Sequence, residues 1–370
     1  MSYHRIVAKL GTGLLTSRTS HLDVQVMADL VEQVARLKQQ GYEIIIVSSG
    51  AIAAGRRGLK GVRGRKNTPL KQVLASIGQG YLMHTYERLF DQYGMTVAQA
   101  LLTKRDMSDR AGYLNARNTL LSLIELGVIC VVNENDVVAV DEIEELKFGD
   151  NDNLSAMVTN LVDADLLVLL TDVGGLYTAD PHRCPEARLI PRVEEINSQT
   201  ERLDRDASGP YGTGGMVTKI EAAKLATSSG ASVIIADGRK PDILLRISQG
   251  EDIGTFFPAQ VDKMESKKRW MLSGLASKGR IIVDGGAIVA IKEQNKSLLP
   301  AGVSKAEGEF HRGDIVDILD EEGNRLGCGI SNYSSADLTI IGGEHSDNIP
   351  GLLGYDYGDE AIHRNNMVLL

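Results

Sequence analysis

Little in this chain can form a disulfide framework. Of 370 residues only Cys130, Cys184 and Cys328 are cysteines, an odd number without Cys-x-x-Cys spacing. That scarcity excludes a crosslinked scaffold and a cysteine zinc site, and it leaves all three as reduced, structural thiols. Long apolar runs are also missing. No stretch approaches the roughly 18 residues of a membrane span, and the amino terminus lacks the charged, apolar and small-residue order of a signal peptide. A cytoplasmic location with no membrane partner is therefore expected. Positive charge is in deficit, with 40 Lys and Arg against 49 Asp and Glu and a net charge of −9, which favours solubility and opposes general polyanion binding. His4, His21, His84, His182, His311, His345 and His363 show no metal-like spacing, so no resident metal site is expected.

What the chain does have is 43% apolar content and length for about two domains. Short β-branched or leucine-rich runs at residues 44–47, 128–132, 166–170 and 232–236 alternate with helix-like stretches such as residues 23–40. Continuous apolar runs of this kind read as strands buried on both faces, and the helical stretches supply the crossovers. The fold class expected is α/β, a three-layer α/β/α sandwich with a mainly parallel sheet over the first 258 residues. In such sheets ligands bind beyond the carboxyl ends of the strands. Polar loops fall there: Ser48-Ser49-Gly50-Ala51, Asn133-Glu134-Asn135-Asp136 and Thr171-Asp172-Val173-Gly174-Gly175. After Pro258 the texture changes. Residues 262–275 look helical, and short strand-like pieces at 281–283, 287–291, 315–319 and 338–341 follow at even spacing, as in a small β-barrel or compact β domain.

Two lysines some two hundred residues apart carry the sharpest chemical signal. Lys9 opens Lys9-Leu10-Gly11-Thr12-Gly13 after an apolar start, and Lys219 closes Gly212-Thr213-Gly214-Gly215-Met216-Val217-Thr218-Lys219 before a helix-like segment. Each loop pairs a cation with backbone N–H groups that glycine leaves uncovered, which is the chemistry for holding phosphates. Neither loop fits Gly-x-x-x-x-Gly-Lys-Ser/Thr or Gly-x-Gly-x-x-Gly, so the folds carrying those fingerprints are disfavoured. A third segment, Gly149-Asp150-Asn151-Asp152-Asn153-Leu154-Ser155, concentrates carboxylates and carboxamides before an expected helix at residues 154–162. It could cap that helix, or bind an ammonium group or a metal. It lacks the oxygen spacing of an EF-hand.

These segments, together with Ser49-Gly50-Ala51-Ile52-Ala53-Ala54-Gly55 and Leu176-Tyr177-Thr178-Ala179-Asp180-Pro181, occur in the order seen in the glutamate 5-kinases. Over essentially its whole length the chain resembles that family of the amino acid kinase superfamily. The part after residue 275 resembles a PUA domain, on the cues Gly308-Glu309-Phe310-His311-Arg312-Gly313-Asp314 and Gly327-Cys328-Gly329-Ile330-Ser331-Asn332. The resemblance implies a kinase domain at 1–258, a linker helix at 259–275, a PUA domain at 276–356 and a tail at 357–370. It implies transfer of the ATP γ-phosphoryl group to the γ-carboxylate of L-glutamate, the first step of proline biosynthesis, with Mg2+ arriving on the nucleotide.

By the same resemblance Lys9, Lys219 and Asp152 are catalytic, the aspartate orienting the lysines. Ser49, Asn133, Asp136, Asp150 and Asn151 hold glutamate. Lys9, Gly11, Thr171, Asp172, Thr213, Gly214, Gly215, Met216, Val217, Thr218 and Lys219 hold ATP. Proline is the expected inhibitor, near Asp106, Asp141, Glu142 and Glu144, which taken singly read as ordinary surface acids. A homodimer or homotetramer and handover to glutamyl phosphate reductase are also implied. Gly13 departs from the pattern, because the family often carries Ser or Thr there; backbone amides, Thr12 or Thr16 are the expected substitutes.

Other features stay open. Residues 56–71 carry seven basic residues and no acid, which fits a solvated loop, an anion-steering rim or a subunit contact. Trp270 is expected to pack the linker helix. An RNA-binding protein is the rival class, but residues 275–355 hold seven Lys and Arg against twelve Asp and Glu, which opposes phosphate-backbone affinity. A sister kinase acting on another carboxylate, carbamate or a nucleoside monophosphate is the nearer rival.

Overall fold

The computed structural model describes residues 3–17, 19, 21–56, 68–138, 151–179, 181, 184–197, 215–261 and 277–370. Among them no helix is long and apolar enough to cross a membrane. The chain forms two compact units: Met1–Met107 with Ala116–Lys263, and Ser108–Asn115 with Met264–Leu370.

The first unit is built on seven strands: β1 (Arg5–Leu10), β2 (Glu43–Ser48), β3 (Val97–Leu102), β4 (Ile129–Glu134), β5 (Leu166–Thr171), β6 (Ser232–Asp237) and β7 (Thr255–Phe257). Their order is β3-β4-β2-β1-β5-β6-β7. The first six run parallel, and β7 joins β6 antiparallel. Every residue of β5 is buried, as its Leu-Leu-Val-Leu-Leu run requires when helices cover both faces of a sheet. Side chains alternate along β1. Ile6, Ala8 and Leu10 enter a core shared with the helix Val24–Gln39, which contributes Met27, Leu30, Val31, Val34 and Leu37 at helical spacing. Asp23 starts that helix by accepting hydrogen bonds from the N–H groups of Gln25 and Val26. Val7 and Lys9 therefore point to the opposite face, where the helix Asn151–Leu161 packs on β1, β2, β4 and β5.

Strand order makes β1 the switch point, because β2 flanks it on one side and β5 on the other. Crevices in parallel sheets open at such points. The loops there are tied to neighbouring strand ends: the Gly11 N–H donates to the Leu170 carbonyl at 3.2 Å, and the Ser49 N–H to the Leu10 carbonyl at 3.0 Å.

The second unit holds β8 (Gly279–Val283), β9 (Val303–Gly308), β10 (Ile315–Leu319), β11 (Arg325–Ile330) and β12 (Met367–Leu369), in the order β12-β11-β10-β8-β9. Only the β8–β10 pair is parallel. Two sequence expectations are corrected here. Residues 287–291 and 338–341 are not strands, because they lie in the helices Gly285–Lys292 and Ser335–Ile341. Caps override the β-branched content: Asp284 accepts from the Ala287 N–H at 2.7 Å, and Ser334 with Asp337 forms a reciprocal capping box. Residues 357–370, expected as a tail, contribute β12, which pairs with β11. Gly327 permits that pairing, since a Cβ there would lie 2.2 Å from the Val368 carbonyl oxygen. Residues 108–115, assigned by sequence to the first domain, group with the second unit, where Leu114 packs with Ile315, Cys328, Ile330 and Val368. The linker helix and Trp270 fall largely or wholly on residues 262–276, outside the described residues.

Close helix packing in the first unit depends on glycine. The helices Ala51–Arg56 and Thr68–Asp91 approach so tightly that a Cβ on Gly78 would stand 1.8 Å from the Ala51 carbonyl oxygen, whereas one on Gly80 meets nothing within 4 Å. Gly78→Ala is expected to lower stability by about 1–3 kcal/mol through overpacking. Gly80→Ala, two residues along the same helix, should raise it by about 0.5–1 kcal/mol through helix propensity. Urea unfolding of the two variants checks the contrast.

Candidate active site

Three elements remote in sequence meet at one carboxylate. Lys9 is the last residue of β1 facing the helix Asn151–Leu161, and Asp152 sits in the first turn of that helix. Lys219 lies in the first turn of the helix Val217–Ser228. The Lys9 Nζ stands 2.5 Å from Asp152 Oδ1, and the Lys219 Nζ stands 3.0 Å from Oδ2. Thr218 Oγ1 donates to Oδ2 at 2.8 Å, and the Lys219 ammonium also donates to the Gly215 carbonyl at 2.6 Å. All three charges are nearly dry, with exposures of 3% for Lys9, 0% for Asp152 and 8% for Lys219.

The electrostatics of this triad follow from its count of charges. Burial alone would push the Asp152 carboxyl up, but the two ammonium groups and their hydrogen bonds outweigh it and hold its pKa down at about 2. Asp152 is thus ionised at any working pH. Two cations on one anion leave a net positive charge in a place with little water, where a positive field acts strongly on an incoming anion. Gly11 adjoins that field: a Cβ there would lie 3.3 Å from the Leu170 carbonyl oxygen and 3.6 Å from the Lys9 Nζ.

A second group of side chains adjoins the first through residue 151. The two N–H groups of Asn151 Nδ2 are shared among three acceptors, the Ser48 carbonyl at 3.1 Å, Ser49 Oγ at 2.9 Å and Asn133 Oδ1 at 3.0 Å. Asn133 Nδ2 in turn donates to Gln79 Oε1 at 2.8 Å. Ser48 Oγ is locked to the buried Tyr86 hydroxyl at 2.8 Å. Asp136, three residues beyond Asn133, is half-buried, and desolvation raises its pKa. It has no ion pair among the described residues, so it is a carboxylate suited to a cationic group from outside the chain.

At the end of β5, Thr171 Oγ1 lies 3.3 Å from Asp172 Oδ1. Gly13 is the close neighbour of that carboxylate, because a Cβ at residue 13 would meet Asp172 Oδ2 at 3.0 Å. The departure from Ser or Thr at this position therefore has a steric context in Asp172. The Thr16 hydroxyl is engaged locally, donating to the Thr12 carbonyl at 2.8 Å.

The structure thus brings Lys9, Asp152, Gly215, Thr218 and Lys219 into one cluster and Ser49, Asn133 and Asn151 into another. Gly11, Thr171 and Asp172 lie at adjoining strand ends, and Met216 and Val217 begin the helix that carries Lys219. Asp150, Thr213 and Gly214 lie outside the described residues, as do Asp141, Glu142, Glu144 and most of the basic run at 56–71. Asp106 is occupied locally, accepting from the Thr103 N–H at 2.8 Å and from its hydroxyl at 2.6 Å. Asp152 does more than cap: the observed helix begins three residues before the expected one and takes Asp152 into its buried first turn. Gln79 and Tyr86 were missed. Both sit inside the long helix Thr68–Asp91, and no loop or glycine motif distinguishes them from core and surface positions of that helix.

Two lysines converge on one buried carboxylate, beside strand ends of a parallel sheet; this is an arrangement found among kinases, whose phosphate groups call for fixed positive charge. The amino acid kinase family model matches residues 4–237, and the PUA domain model matches residues 279–353. A glutamate 5-kinase of Dehalococcoides mccartyi is 60% identical over 370 residues, covering 100% of this chain and 99% of that one. One from Herpetosiphon aurantiacus is 48% identical, covering 98% of each. A UMP kinase structure from Ureaplasma parvum is similar at a TM-score of 0.48 and 14% identity, covering 70% of this chain and 100% of that one. The chain belongs to the amino acid kinase family, within its glutamate 5-kinases, and carries a C-terminal PUA domain.

Acid should report on the triad. Because the folded-state pKa of Asp152 is depressed from 3.8 to about 2, its stabilising contribution is complete well above pH 4 and is lost as pH falls through 2. Asp152→Asn leaves two buried ammonium groups without their counter-ion, and should cost about 3–5 kcal/mol at neutral pH. Urea midpoints measured against pH should show the gap between wild type and variant narrowing below pH 4. A gap independent of pH would contradict the buried ion triad.

Proposed function

We propose that the protein transfers the γ-phosphoryl group of ATP to the γ-carboxylate of L-glutamate, giving L-glutamyl 5-phosphate and ADP. The observation that carries this reading is the sharing of Asp152 by Lys9 and Lys219. The acceptor carboxylate is already ionised near neutral pH, so no base has to remove a proton. One of its oxygens forms a bond to the γ-phosphorus while the bond to the bridging oxygen breaks and its electron pair leaves on ADP. The obstacle is repulsion between two anions, and the excess positive charge of the triad acts against it.

Lys9 lies at the strand end and Lys219 at a helix start, so the two approach a transferring group from different elements. Asp152 keeps their ammonium groups converged. Gly11 and Gly215 leave backbone close to the phosphates, and Thr171 with Asp172 is the proposed nucleotide edge. Mg2+ bound to the nucleotide would lower the charge of the phosphates, and because it dehydrates reluctantly it would need few protein ligands.

Asn151, Ser49, Asn133 and Asp136 supply the mixture of donors and acceptors that a zwitterionic amino acid needs, with Asp136 suited to its ammonium group. Asp150 belongs to the same proposal. The domain division at 258 and 276, an assembly of two or four copies, inhibition by proline and a cytoplasmic location extend the reading, and rest on the family membership. The product is an acyl phosphate, reactive toward water, which favours direct handover to a reductase.

ADP release that requires both ATP and glutamate, with the product trapped by hydroxylamine, tests the reaction against other carboxylates, carbamate and nucleoside monophosphates. Lys219→Met is expected to lower kcat by about 100- to 1,000-fold, the usual cost of removing one preorganised donor of positive charge, with the circular dichroism spectrum unchanged. Turnover in that variant at the wild-type rate would remove the lysine pair from the mechanism.

A further inference from the structure

The amides around Asn133 leave one donor and one acceptor unused, and their orientation is not a matter of choice. Two backbone groups fix it. The Glu134 N–H donates to Asn133 Oδ1 at 2.9 Å, so Asn133 must turn its Nδ2 toward Gln79. Gln79 then presents Oε1 to Asn133, and its Nε2 is left as a donor. At the other end, the Ser48 carbonyl can only accept, so Asn151 turns Nδ2 toward it and its Oδ1 is left as an acceptor. Both leftover atoms, Gln79 Nε2 and Asn151 Oδ1, are buried and without a hydrogen-bond partner among the described residues.

Native interiors seldom leave such atoms unsatisfied, since each costs about 1–3 kcal/mol. Here two lie in one hydrogen-bonded row, a donor at one end and an acceptor at the other. A row with these ends fits a ligand that carries an anion and a cation on one skeleton. The acceptor, Asn151, adjoins Asp152 in the chain, and therefore the lysine pair. The donor, Gln79, stands two amide links further away. We infer that Gln79 is a substrate-binding, specificity-determining residue whose side-chain N–H groups bind the non-reacting α-carboxylate of the amino acid. This assignment rests on the proposed glutamate reading and adds a residue from the helix Thr68–Asp91, which the sequence motifs do not reach. The close contact of Gly78 with the Ala51 carbonyl places the neighbouring turn of that helix against the helix that follows Ser49 and Gly50.

Gln79→Glu tests the idea because it keeps shape and replaces the donor with an anion. KM for glutamate should rise about 10- to 100-fold, the loss expected for a hydrogen bond to a charged group, while KM for ATP moves less than about twofold. A role confined to packing would not change substrate preference, so the α-carboxamide analogue of glutamate is the second probe. Its amide N–H groups can donate to the new carboxylate, and the preference for glutamate over the analogue should shrink at least about tenfold. If Gln79→Glu does not fold, Gln79→Met removes the donor without adding charge and carries the same KM test. A KM for glutamate within about twofold of wild type, or an equal rise for both substrates, overturns the assignment. Absence of glutamate-dependent ADP release from the wild-type protein would overturn the glutamate reading and this assignment together, whereas normal release with an unmoved KM in the variant overturns the assignment alone.

Discussion

A single buried carboxylate holding two ammonium groups is the constraint on which the rest of the first unit depends. Charges taken out of water are costly, and removal of the carboxylate leaves both ammonium groups uncompensated. Lys9, Asp152 and Lys219 come from a strand, a helix and a second helix, with more than sixty residues between any two of them. Asp152 is the member the other two share, so its loss strands both cations, whereas loss of one lysine leaves a neutral pair. The site is therefore a product of the completed fold, and its positive excess exists only once all three elements are packed.

The sheet supplies the positions that make this convergence feasible. Alternation along β1 sends Ile6, Ala8 and Leu10 to one core and leaves Lys9 at the final position on the other face, beside the strand's exit. A register slip of one residue would bury Leu10 against Asp152 and send the ammonium group into the apolar core around the helix Val24–Gln39. Parallel pairing on both sides of β1 guards against that slip, with Leu10 opposite Ser48 in β2 and Leu170 in β5. The same registers place Gly11, Ser49 and Thr171 one residue past their strand pairs or at the final one. Phosphate-type loops and amide-type loops consequently open on one edge.

How much of this was legible in the sequence depended on the range of the signal. Apolar runs announced β2, β4, β5 and β6 because strands buried on both faces need nearly continuous apolar side chains. Lys9 and Lys219 were legible because glycine-rich loops beside a cation are locally unusual. Residues 287–291 and 338–341 misled, since their isoleucines and valine favour strands in isolation while Asp284 and the Ser334–Asp337 box set helix starts just upstream. β12 was hidden because three residues near the carboxyl terminus carry no period, and its partner is recognisable only through the room that Gly327 leaves for it. Gln79 had no local signal at all. Its proposed role depends on which way Asn133 turns, and that is decided by the Glu134 N–H on β4.

The two clusters meet at consecutive residues, and this bears on precision. Asn151 and Asp152 are adjacent in the first turn of one helix, so their side chains leave the axis about 100° apart. One reaches the amides of Ser48, Ser49 and Asn133, and the other reaches the lysines. On the proposed reading, an amino acid at the amides and a phosphoryl group at the lysines would be held by side chains rooted at consecutive residues, which limits how far the two subsites can drift apart. In-line transfer requires reacting atoms about 3–3.5 Å apart, and small misplacements are costly in rate. Rooting both proposed subsites in one helical turn ties that requirement to the start of a single helix. Any change that lengthens or frays the start of this helix must disturb donor and acceptor sites together, whereas changes at Gln79 act on one end alone.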